Sequence, residues 1–158
     1  MINRKAALTI LFFFITSFSF AEVTVVRHFN CYQDKIKPAQ KKAIQTIQEA
    51  YGKKINVRVT ADGGDTFLYQ ECDEGEQTLA MGITKLTNPK PSAALKKAIV
   101  DNVEEIEVKM NDSKKEPNFE FDSKRKELLI EFHPDKTTFK GDFAGDVVKA
   151  IKNPKKED

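Results

Sequence analysis

The chain has 158 residues with 26 basic and 24 acidic side chains, two cysteines and no tryptophan. Its first 21 residues carry two of the cations and no acid, so the remaining 137 balance 24 against 24 and lack the basic surplus of a phosphate-backbone binder. Nucleic acid is excluded as an expected partner, and the length suits one domain with a real core better than two.

Arg4 and Lys5 form a basic head, Leu8 to Phe20 an apolar stretch of 13 residues, and Ser19-Phe20-Ala21 a small-x-small pattern. That is the layout of an export signal over 1–21, cleaved before Glu22. The apolar stretch is shorter than the roughly 20 residues a helix needs to cross a bilayer, and no later segment approaches that length. The expected product is a soluble periplasmic or secreted protein. It comprises a single α+β domain over 22–152 and a disordered charged tail over 153–158.

Val23 to Phe29 reads as an opening strand, with His28 near its end. Cys31 and Cys72 are an even pair in an exported chain, which predicts a disulfide. Closing a loop of about 40 residues contributes about 4 kcal/mol in the chain-entropy account. The competing reading, a Cys31 nucleophile assisted by His28 or His133, has no spacing to support it.

Apolar positions three and four apart predict a first helix over Lys37–Tyr51, with Pro38 in its first turn and Gly52 at its end. Alternation of period two then marks a strand on Ile55, Val57 and Val59, with Asn56, Arg58 and Thr60 on the other face. After Asp62-Gly63-Gly64-Asp65, Phe67 and Tyr69 suggest a strand containing Gln70. After Asp73-Glu74-Gly75, Leu79, Met81 and Ile83 suggest another. A second helix is expected over Ser92–Asn102, capped by Ser92. Strands follow on Ile106 to Met110, Phe119 to Phe121 and Leu128 to Phe132, the last leading into His133. A third helix runs from Asp142 to Lys152 and is closed by Pro154.

Lys41-Lys42-Ala43-Ile44 recurs as Lys96-Lys97-Ala98-Ile99, and the element order after each copy suggests an internal α-β-β-β repeat. The expected architecture is therefore α+β: a predominantly antiparallel curved sheet of six or seven strands, with three helices packed on one face. Its open face would display Asn56, Arg58, Thr60, Gln70, Glu107, Lys109, Glu120, Asp122 and Glu131. The helix-then-strands order is similar to cystatin-like folds, although the Gln-x-Val-x-Gly inhibitory loop is missing.

Catalytic signatures are absent: there is no P-loop, nucleophile elbow or HExxH, and no motif calls for a cofactor or metal. The acidic runs Asp62–Asp65 and Asp73–Glu76 match no calcium-loop spacing and read as solvated turns. The expected function is a non-enzymatic binding or inhibitor-like module that engages a protein or envelope component. His28, Arg58, Gln70, Lys109 and His133 are its candidate contacts. The alternatives are an exported hydrolase with a site near His28 and His133, and an envelope scaffold subunit.

Overall fold

The computed structural model describes residues 31–61, 72–111, 117–132 and 141–155, and among them the chain is α+β with four helices and a four-stranded mixed sheet. The opening strand, the Phe67–Tyr69 strand and the signal segment lie outside the described residues, as do His28, Gln70 and His133.

A π turn over Tyr32–Ile36 leads into α1 (Lys37–Tyr51), which buries Ala43, Ile47 and Tyr51 at successive intervals of four. Gly52 ends it in the left-handed region at φ 73°, where the lack of a Cβ removes the steric cost, and its N–H donates to Gln48 O at 2.8 Å. Strand β1 (Asn56–Ala61) follows with alternating burial.

The next described element overturns an expectation. Residues Cys72–Thr87 form a helix, α2, where a turn and a strand on Leu79, Met81 and Ile83 were expected. Its buried positions are Cys72, Gly75, Thr78, Leu79, Gly82, Ile83 and Leu86, a helical stripe in which glycine and threonine stand where large apolar residues would have revealed the period. Met81 stays half-buried at its edge. Gly82 is small for a reason. A Cβ there would lie 3.1 Å from Phe132 Cε2 and from both Val108 methyls, so the helix backbone rests directly on the sheet.

Helix α3 (Ala93–Asn102) begins at the expected cap, with Ser92 Oγ accepting from Leu95 N at 3.2 Å. Strands β2 (Glu105–Met110), β3 (Asn118–Asp122) and β4 (Glu127–Phe132) follow, and then α4 (Phe143–Lys152), capped by Asp142 accepting from Gly145 N at 3.0 Å.

The strand order is β1-β2-β4-β3; β1 and β4 each flank β2 in parallel, and β3 alone is antiparallel, to β4. This corrects the predominantly antiparallel sheet of six or seven strands with three helices. Parallel neighbours require a long crossover, and α2 with α3 supplies the one from β1 to β2. The α-β-β-β repeat fails with it. Among the described residues α1 is followed by one strand and then a helix, whereas α3 is followed by three strands. The mixed sheet also removes the cystatin-like order.

One face of the sheet forms the core. Val57, Val59, Ile106, Val108, Met110, Leu128, Ile130 and Phe132 are all at most 5% exposed and form one apolar cluster with the helices. Each such side chain contributes about 1.5–3 kcal/mol on burial. Phe143 carries α4 into it, edge-on to Phe119 at 5.0 Å and stacked with Phe132 at 6.2 Å. The expected disulfide is present: Cys31 and Cys72 are bonded with Cα atoms 6.4 Å apart, joining the residue that precedes the π turn to the first residue of α2. No described helix is long and apolar enough to cross a membrane.

Candidate functional site on the polar face of the sheet

Because β-strand side chains alternate, burying one face leaves the other as a polar grid set by the strand register. Reading across β1, β2, β4 and β3, its rows are Asn56, Glu105, Glu127, Asp122; then Arg58, Glu107, Leu129, Glu120; then Thr60, Lys109, Glu131, Asn118. Arg58 is the hub of the first two rows. Its Nε lies 2.5 Å from Glu105 Oε1, and its Nη2 binds both Glu107 Oε2 and Glu127 Oε1. Thr60 Oγ1 donates to the other oxygen of Glu107.

The electrostatics of this group are asymmetric. Burial, together with the hydrogen bond to Glu127, raises Glu107 above the usual carboxylate range against the opposing pull of Thr60 and Arg58. At Glu127 burial acts in the same upward direction but is outweighed by the hydrogen bonds with Glu107 and Arg58, and the net displacement is downward. Arg58 is held above its ordinary value: burial disfavours its charge, but the hydrogen bond to Glu127 and the charges of Glu107 and Glu127 prevail.

A second cluster occupies the third row. Glu131, only 5% exposed, accepts from Asn118 Nδ2 at 2.6 Å and Asn111 Nδ2 at 3.2 Å, with Lys109 Nζ at 3.6 Å. A buried carboxylate needs such donors, since an isolated charge out of water is costly. At the β3 side, Lys155 Nζ donates to Glu120 Oε2 at 3.0 Å, and Arg125 lies 3.7 Å from Asp122 and 3.9 Å from Glu127. Between these groups lies a shallow depression of about 310 Å³ lined by Glu107, Glu120, Arg125, Glu127, Leu129 and Lys155.

Of the sequence candidates, Arg58 and Lys109 do stand on one face, in separate clusters; His28, Gln70 and His133 lie outside the described residues. Sequence reasoning missed Glu105, Glu127, Asn111 and Asn118 as contributors. The alternation Glu127-Leu128-Leu129-Ile130-Glu131 does assign Glu127 to the face of Glu131, but only the β2–β4 pairing brings it to Arg58. Asp73 and Glu74 belong to the first turn of α2, where carboxylates favour the helix dipole, and Asp73 takes Lys35 as its partner. Among the described residues no three His, Cys, Asp or Glu side chains are grouped to hold a metal.

No protein-family model matches this chain, and comparisons with curated proteins and with solved structures find no match.

Proposed function

We propose that the protein is an exported, disulfide-locked binding module that engages another protein or an envelope component through the polar face of its sheet, and that it is not an enzyme. The supporting observation is the mutual pairing of the side chains on that face: Arg58 bound by three glutamates, and Glu131 by two amides and Lys109. Charged side chains already fixed by neighbours lose little rotamer freedom when a partner docks, which favours recognition. The same pairing engages the groups that a general acid or base would need free. A Cys31–Cys72 bond is compatible with an oxidising compartment and hence with export.

The test is capture from the envelope fraction or medium of the host with immobilised residues 22–158. It compares wild type, Glu120→Lys on the polar face, and Lys96→Glu in the exposed helix layer. The face substitution should weaken recovery of a specific partner about tenfold, equivalent to about 1.4 kcal/mol, and the helix substitution should leave it unchanged. The reverse pattern, or turnover by the wild type on a hydrolase panel, refutes the reading.

A further inference from the structure

Arg58 meets more acid than one guanidinium neutralises. Glu107 and Glu127 share its Nη2, and Glu105 takes its Nε. Two carboxyl groups on one nitrogen stand against each other, because Glu107 Oε2 and Glu127 Oε1 both reach Arg58 Nη2. Two ionised carboxylates so placed repel each other and neither has a donor, so a single proton held between them relieves the repulsion and bridges the pair. Both side chains are largely shielded, at 15% and 12% exposure, which removes water as an easy substitute.

We propose that Glu107, Glu127 and Arg58 form a pH-sensitive clasp across β1, β2 and β4, shut by one shared proton and sprung when that proton leaves. The surrounding charges cannot replace it. From β1 come Arg58 and the Thr60 hydroxyl, from β2 Glu105 and Lys109, and from β3 Glu120 and Asp122. Arg125 reaches in from the β3–β4 turn and Lys155 from beyond α4. Lys109 faces Glu131, Lys155 is bonded to Glu120, and Arg125 is divided between Asp122 and Glu127 at 3.7 and 3.9 Å. Losing the proton leaves Glu107 and Glu127 both ionised on one nitrogen of Arg58, with Arg125 3.9 Å from Glu127. The repulsion loosens the cross-strand contact and adds a negative charge beside the 310 Å³ depression. The upward displacement of Glu107 and the downward one of Glu127 place the proton on Glu107. The consequence for a partner rests on the recognition face proposed above: a cationic partner gains affinity as pH rises through this step.

The clasp is tested in the isolated protein, so its failure is distinguishable from failure of partner capture. Carbon-detected NMR follows the glutamate side chains and the Arg58 Nε–H from about pH 3 to about pH 9 in wild type, Glu107→Gln and Glu127→Gln. In wild type, Glu107 should titrate above the ordinary glutamate value of about 4.3, and the Arg58 Nε–H signal should be lost to exchange as it does. In Glu127→Gln the new amide donates to Glu107 and its midpoint should fall. In Glu107→Gln the amide replaces the shared proton and the Arg58 signal should persist throughout. Titration of wild-type Glu107 at the ordinary value, or an Arg58 signal indifferent to it, overturns the clasp even if neither variant folds.

Discussion

Replacing Cys31 and Cys72 together by alanine should lower the unfolding free energy by about 4–5 kcal/mol. The bridge joins positions 41 apart in sequence, and the loop-closure relation for that length gives about 13 cal/mol/K, or about 4 kcal/mol at room temperature. Cys72 is 1% exposed, so losing its sulfur leaves a small void that adds up to about 1 kcal/mol. The Lys35–Asp73 ion pair at the same junction is exposed and does little to compensate. Against a typical domain stability of about 5–15 kcal/mol, the loss is large enough to leave the protein marginal. Urea unfolding by circular dichroism on oxidised wild type, reduced wild type and the double variant measures it, and the two unbridged forms should agree to about 1 kcal/mol. Reduced protein as stable as oxidised protein would refute the reasoning, because the bridge would then not be restraining the unfolded chain.

Gly82→Val should destabilise by about 1–3 kcal/mol, because even the first added carbon sits 3.1 Å from Phe132 and Val108 in a filled core; a thermal melt above that of wild type would contradict the close approach of α2. Asp142→Ala should cost about 1 kcal/mol in urea unfolding through loss of the acceptor for Gly145 N–H, and an unchanged midpoint would mean that the cap contributes nothing. Stability should peak in mild acid. Glu107, raised in the folded state, contributes stability present below its unfolded value and lost as pH rises through its folded value; Glu127, lowered, contributes stability present above its unfolded value and lost as pH falls through its folded one. Urea midpoints against pH should show both limbs, with the high-pH decline missing in Glu107→Gln.

Much of the local structure was legible because its signals are local. Pro38 and Gly52 bracket α1, Ser92 and Asp142 cap α3 and α4, and period-two alternation assigned Arg58, Glu107, Lys109, Glu120, Asp122 and Glu131 to a single face. Helix α2 was hidden because its contact stripe includes Gly75, Thr78 and Gly82, leaving Leu79, Met81 and Ile83 to suggest alternation. A strand at α2 would make every connection a hairpin, whereas a helix there supplies the crossover that parallel pairing of β1 with β2 requires. The Arg58 cluster was lost for the same reason. Its Glu127 comes from β4, 69 positions away, and meets Arg58 only because both strands flank β2.

The seating of β4 between β2 and β3 also sets the order in which the molecule can be completed. This interior strand is synthesised after both of its neighbours, so a nascent polypeptide stopping before Glu127 holds β1 and β2 but lacks the neighbour that β2 needs and the Phe143 ring that packs on Phe119 and Phe132. Such long-range closure waits for β4 and α4, and non-local pairing of this kind is intrinsically slow. Until β4 arrives, β2 keeps one edge unpaired, and an open strand edge is a template for pairing with another chain.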